Sequence, residues 1–162
     1  RDDKGIFRVH QFNKIEQVIH CKPEESYKYF QQMEKITEEM FKSLGLPFRV
    51  VAICSGDIGN KQALQYDIEA WFPGQKEKKG AYREVTSCSN CLDYQAVTLN
   101  TKYLDKKGEK KYVHMLNNTA IATARAIAAI LENFQTKQGT VKIPKVLWPY
   151  MSGVKEIKRK KK

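Results

Sequence analysis

Three adjoining stretches decide the fold class: Leu64-Gln65-Tyr66-Asp67-Ile68-Glu69-Ala70-Trp71-Phe72, the polar run from Pro73 to Gly80, and Tyr82-Arg83-Glu84-Val85-Thr86-Ser87. The outer two are strand-forming and the middle one is rich in Gly and Lys, the pattern of two strands joined by an exposed hairpin loop. A loop that short cannot make a parallel crossover, so the pair is antiparallel. The same grammar continues outward. Residues 6–22 read as extended through Phe7, Val9, Ile15, Val18 and Ile19, and Phe48–Cys54 reads as a strand. Gln95–Tyr103 reads as more sheet, Asp105–Lys111 as a second charged hairpin loop and Tyr112–Leu116 as its return. Pro23 opens a helix with Glu24 and Glu25 in its first turn, where the helix dipole favours anions. Its apolar positions Phe30, Met33, Ile36, Met40, Phe41 and Leu44 are spaced by three and four, and Gly45 and Pro47 stop it. A last helix is predicted from about Thr119 to Phe134. The class is α+β, a mostly antiparallel sheet with flanking helices.

A chain of 162 residues that is 41% apolar can bury a real core, which excludes whole-chain disorder. It reads as one domain over residues 1–150 and a basic tail over 151–162. The formal charge is +11, and six of the last eight residues are basic against Glu156, so about half of that charge sits in the tail. Such a block is a solvated extension or a sequence-independent contact for a polyanion such as RNA. No apolar run approaches the roughly 20 residues that span a bilayer, so no membrane partner is expected. Cys21, Cys54, Cys88 and Cys91 are too few for a disulfide scaffold and point to a reducing, cytoplasmic setting.

Three segments carry chemistry. In Gly5-Ile6-Phe7-Arg8-Val9-His10-Gln11-Phe12-Asn13-Lys14-Ile15-Glu16-Gln17, a strand period of two sets Arg8, His10, Phe12, Lys14 and Glu16 on one face. That face offers a cation for phosphate, a ring for a base and a carboxylate for an ammonium, or else is a solvated strand of alternating charge. In Asn117 to Leu131, Ala and Ile lie all round a predicted helix whose sole charge is Arg125. A guanidinium in such a place needs an anion, either a protein carboxylate such as Asp67 or Glu69, or a phosphate. Asn117, Asn118 and Thr119 form the expected first turn and could hold a small polar ligand. In Tyr82 to Cys91, Glu84 lies among hydroxyls and could hold magnesium with a nearby oxygen. Glu84 and Ser87 have odd spacing, which places them on opposite strand faces unless a bulge intervenes. Cys88 and Cys91 form a C-x-x-C without a second ligand pair or a following helix, so they read as unliganded thiols.

Together these segments resemble the class II seryl-tRNA synthetases. Gly5 to Gln17 resembles the second half of their motif 2, and Asn117 to Glu132 their motif 3 helix. Tyr66 to Gly74 and Arg83 to Gln95 resemble the intervening strands, so the likeness runs from about residue 4 to 136, nearest to the eukaryotic cytosolic form. The resemblance implies the fold of that catalytic core and a serine–tRNA ligase that activates serine with ATP and passes it to tRNA(Ser), with Mg2+ beside the ATP. It implies that Val9, His10, Gln11 and Phe12 line the ATP site, with Phe12 against adenine, and that Arg8 and Arg125 meet the phosphates. Glu84, Val85, Thr86 and Ser87 would serve ATP, Glu84 and Ser87 also its magnesium, and Glu16, Asn117 and Thr119 would surround serine. Arg8, Glu84 and Arg125 are the implied catalytic residues.

The family's motif 1, the first strand of motif 2 and the helical tRNA-binding arm precede such a segment and are not among these residues. On that reading the 162 residues are one part of a larger homodimeric enzyme and are not expected to be active alone. The rival expectation is a non-catalytic RNA- or nucleotide-binding module with a synthetase-like fold.

Overall fold

The structure, a computed structural model, describes residues 5–75 and 79–159. Its centre is a five-stranded sheet in the order β1-β7-β4-β3-β2, with every neighbouring pair antiparallel. The strands are β1 Lys14–Cys21, β2 Phe48–Ala52, β3 Leu64–Phe72, β4 Ala81–Asn90 and β7 His114–Ala122. Helix α1 (Ser26–Ser43) follows β1, α2 (Tyr94–Leu99) follows β4, and α3 (Thr123–Phe134) continues directly from β7. Two small ribbons stand apart: β5 (Lys102–Leu104) with β6 (Lys110–Tyr112), and β8 (Val141–Lys142) with β9 (Glu156–Ile157). The second ribbon draws residues 156–157 back to the fold, across the boundary expected at 150/151.

The two long helices share one face of the sheet. Phe41 of α1 and Ala128 and Ala129 of α3 join Ile68, Ala70, Phe72 and Val85 in a single buried cluster. The alternation of Ile68, Ala70 and Phe72 supplies that face, and small alanines let α3 approach closely. A second cluster of Cys21, Phe30, Met33, Cys88 and Leu116 packs the first half of α1 on β1, β4 and β7. Polar bonds fix the register between helix and sheet. Asn118 Nδ2 donates to Met33 O at 2.8 Å and to Thr37 Oγ1 at 2.9 Å, and Gln17 Nε2 reaches the same two acceptors.

Three local expectations need correction. The strand expected to end at Leu116 runs on to Ala122, so Asn117, Asn118 and Thr119 lie within β7 and do not start a helix. A central strand covered by neighbours is apolar without alternation, and its Ala-rich run imitates a helix. Of the stretch Gln95–Tyr103, only Lys102 and Tyr103 are strand, in β5. Residues 94–99 turn into α2 around the buried Ala96, which packs with Val113 and Met115, and Asn100 ends it at φ 53°. Packing of that one alanine overrides the strand preference of Val97 and Thr98. Finally, β1 begins only at Lys14, and Gly5–Phe7 is a 3-10 turn. The expected Pro73–Gly80 loop lies partly outside the described residues. At its end Gly80 adopts φ +78°, and a Cβ there would run into the Trp71 ring, so the return to β4 requires glycine.

One buried acid gives this core a pH dependence. Glu34, on the inner side of α1 and 5% exposed, is pushed up from the ordinary 4.5 to about 7 by burial, with Glu38 and Asp67 adding repulsion. An acid whose folded pKa is raised retains its proton while the unfolded chain has released it. Stability therefore falls as pH climbs from about 4.5 to about 7 and levels off above. Glu34→Gln is expected to raise the melting temperature more at pH 8 than at pH 5, as thermal denaturation at the two values would register. An equal gain at both would mean that Glu34 is not protonated in the fold.

Candidate functional site

The regular pairing of the sheet is interrupted twice, and both interruptions face one place. Between β3 and β4, Ile68 pairs with Thr86 but Glu69 pairs with Glu84, so Val85 is an extra residue in β4. Between β1 and β7, Ile15 pairs with Ile121 but Glu16 pairs with Thr119, so Ala120 is extra in β7. Each extra residue is buried, Val85 at 2% and Ala120 at 5% exposure. A bulge shifts the strand by one residue and re-aims the side chains that follow. It brings Glu84 and Ser87, whose spacing alone would separate them, to the same cleft.

This cleft has a volume of about 260 Å³. Glu84 to Ser87 form its floor, Thr119 and Ala122 one wall, Ala124 and Arg125 the entry of α3, and parts of residues 7–14 the cover. The cover is docked by two hydrogen bonds: the Thr123 amide donates to Asn13 O at 3.1 Å, and its hydroxyl donates to the same oxygen at 2.8 Å. Arg125 reaches back from the first turn of α3. Its Nη1 donates to Glu84 O at 2.9 Å and lies 3.4 Å from Glu84 Oε2. Of the two partners expected, a protein carboxylate is present, and it is Glu84 and neither of the examples Asp67 and Glu69. Gln65 donates to Asp67, and Arg49 holds Glu69 at 2.6 Å. Glu69 and Glu84 face each other across β3 and β4, and each is neutralised by its own arginine, which removes the repulsion of a like-charged pair.

At the edge of the cleft, Glu16 Oε2 accepts a hydrogen bond from Thr119 Oγ1 at 3.0 Å and lies 3.2 Å from Lys14 Nζ. Of the residues expected at the site, Arg8, Val9, Phe12, Glu84, Val85, Thr86, Ser87, Thr119 and Arg125 line the cleft, and Glu16 adjoins it through Thr119. Gln11 lines an adjoining open groove of about 460 Å³, which shares Val9, Phe12 and Ala124. His10 is exposed and lines neither. Asn117 lies apart, its Nδ2 3.7 Å from Cys91 Sγ. Residues 8–13 are not strand, so Arg8 and Phe12 reach the cleft by the fold of the cover and not by the period of two. Phe7 and Lys14 also line the cleft without having been assigned a role there.

The cleft combines groups suited to a nucleotide: guanidinium for phosphate, an aromatic ring for a base, and a carboxylate beside hydroxyls. Among the described residues no group of three or more His, Cys, Asp or Glu side chains could cage a metal. Burial pushes the Cys88 and Cys91 thiols up, as suits apolar packing and not thiolate ligation. Among the same residues no helix is long and apolar enough to cross a membrane.

The profile of the tRNA synthetase class II core domain (G, H, P, S and T) matches residues 1–134, and the chain belongs to that family. Among its relatives are serine–tRNA ligases of Pyrococcus abyssi, 57% identical, and Thermococcus sibiricus, 55% identical, each matched over 97% of this chain and 34% of the relative. The chain thus spans about a third of the length of these relatives. Seryl-tRNA synthetase from Pyrococcus horikoshii, solved in complex with ATP, superposes with a TM-score of 0.92 at 54% identity, covering 99% of this chain and 35% of that one. The cytoplasmic serine–tRNA ligase of Naegleria fowleri, in complex with AMP, gives 0.91 at 48% identity, with coverage of 99% and 37%.

The bond between Thr119 and Glu16 joins β7 to the edge strand beside the cleft. Thr119→Val preserves shape and removes the donor, and is expected to cost about 0.5–1.5 kcal/mol in urea denaturation. No measurable change would mean that Lys14 and solvent, not Thr119, satisfy Glu16.

Proposed function

We propose that this chain is the part of a serine–tRNA ligase that carries its ATP-binding and serine-binding surfaces, in a protein that makes seryl-adenylate and delivers the seryl group to tRNA(Ser). The observation that carries the reading is the cleft in which Arg125, Phe12 and Glu84 converge beside the Glu16–Thr119 pair. The ATP and AMP complexes of similar chains support a nucleotide there. Arg125 and Arg8 bind phosphate oxygens, Phe12 takes the adenine, and Val9 and Gln11 complete that wall. The main chain and side chains of Val85, Thr86 and Ser87 position the nucleotide from below. Glu16, with Thr119, receives serine.

The reaction needs no side-chain nucleophile. The serine carboxylate attacks the α-phosphorus in line, pyrophosphate leaves, and a ribose hydroxyl of tRNA later displaces adenylate from the seryl carbonyl. Rate comes from positioning and from cations placed where charge develops. Glu84 and Ser87 supply the hard oxygens that a magnesium ion takes when most of its shell is phosphate and water; bound there, Mg2+ would neutralise charge on the leaving pyrophosphate. Both serine and alanine offer Glu16 an ammonium, so they are separated by the hydroxyl alone: a polar group that meets it, with Thr119 the candidate, is left without that partner when alanine binds. The whole protein is proposed to work as a homodimer in the cytoplasm, with residues 1–150 belonging to its catalytic domain and 151–162 ending in a basic tail.

The test is serine- and ATP-dependent pyrophosphate exchange by the full-length protein. Glu16→Ala is expected to raise the serine KM about ten- to a hundredfold while sparing ATP binding, since a charged hydrogen bond contributes about 1.5–3 kcal/mol. Unchanged serine use would remove Glu16 from the site. Nucleotide binding with no exchange would instead identify a non-catalytic module. The tail gives a second expectation: removing Lys158–Lys162, which spares the Glu156–Ile157 strand, lowers tRNA affinity mainly at low salt and flattens the salt dependence measured by filter binding. An unaltered slope would take the tail out of RNA binding.

A further inference from the structure

Phe7 packs against the main core cluster and also lines the cleft, where the proposed chemistry gives it no part. Its ring lies 4.2 Å from the guanidinium carbon of Arg83 and 5.0 Å from that of Arg125, measured to the ring centroid. The same ring meets Phe72 edge-on, with centroids 5.5 Å apart and planes at 81°. Phe72 is fully buried in the main core cluster, so the ring is anchored on the rigid part of the molecule. One aromatic side chain thus joins a core phenylalanine to two cations, one of which enters the cleft.

The two arginines come from different elements. Arg83 belongs to β4 and also donates to Gln75 Oε1 at 3.2 Å, while Arg125 belongs to α3. Two guanidinium groups drawn to one ring repel each other, and an aliphatic side chain would offer nothing to offset that. The electron-rich face of an aromatic ring does offset it, more strongly where water is partly excluded. Arg125 also lies in the first turn of a helix, where the dipole is unfavourable to a cation. Its bonds to Glu84 hold one edge of the guanidinium. The Phe7 ring limits the remaining freedom.

We infer that Phe7 is a positioning residue: it holds the Arg125 guanidinium in the orientation that meets the nucleotide phosphates, acting through the ring and not through contact with the substrate. This rests on the reading that Arg125 binds ATP. It predicts that aromatic character matters at residue 7 and volume does not. Removing the ring should weaken ATP use selectively, because the serine contacts at Glu16 and Thr119 lie on β1 and β7 and do not involve it.

The test compares Phe7→Leu, Phe7→Tyr and Arg125→Ala in the full-length protein, with ATP affinity from calorimetry and separate KM values for ATP and serine from pyrophosphate exchange. Phe7→Leu is expected to weaken ATP about three- to tenfold with serine KM unchanged. Phe7→Tyr should stay within about twofold of the unaltered protein, and Arg125→Ala should lose more than Phe7→Leu. Melting curves identify any variant that fails to fold, and the tyrosine variant then carries the comparison: weakened ATP binding with the ring retained overturns the proposal. Equal ATP affinity for Phe7→Leu and the unaltered protein, with Arg125→Ala impaired, also overturns it while sparing the role of Arg125. Full ATP affinity in Arg125→Ala overturns that role, and the positioning proposal with it.

Discussion

A guanidinium cannot shed its charge, and Arg125 carries one at the start of a helix that is apolar from Ala126 to Leu131 and packed on the sheet. Everything near the cleft answers to that charge. The side chain of Arg125 is 24% exposed, so water satisfies it only in part. Glu84 supplies both a main-chain carbonyl and a carboxylate, and Phe7 supplies a ring. The cover over residues 7–14 is brought to the same place by the bonds from Thr123 to Asn13. An anion entering the cleft would compete for a cation that is already oriented, which lowers the entropic cost of binding it.

The two bulges make this arrangement possible within an antiparallel sheet. A strict period of two would send Glu84 and Ser87 to opposite faces. The extra Val85 corrects that, and the extra Ala120 does the same service for Thr119 opposite Glu16. Both extra residues are apolar and buried, so the irregularities are stabilised by the core. Away from the site, Asn118 and Gln17 tie β7 and β1 to α1 through Thr37, which keeps the sheet from shifting under the helices. Precision at the cleft therefore depends on polar bonds made on the other side of the sheet.

Much of this was legible in the sequence. The hairpin pattern around Pro73–Gly80 implied an antiparallel sheet, and the spacing of Phe30, Met33 and Phe41 implied the helix laid on it. Arg125 stood out as a lone cation, although its partner Glu84 did not, because pairing across 41 residues depends on a bulge that local pattern cannot register. The second half of strand 114–122 reads as helix for a related reason: a covered strand and a buried helix can have the same composition. Phe7 was invisible as a functional residue, since an apolar side chain next to Arg8 reads as packing until the two guanidinium groups around it are seen. The kinship to class II synthetases was carried by the order of motifs and not by any one residue, and it survived the shift of Asn117–Thr119 from helix to strand.

Hydrogen–deuterium exchange of the full-length protein, with and without ATP, tests the central claim most directly. If Arg125 and its surroundings form the nucleotide cleft, ATP slows exchange in peptides covering residues 5–13, 84–88 and 119–126 and leaves the β5–β6 ribbon unchanged. Protection confined to other segments, or none at saturating ATP, would contradict it.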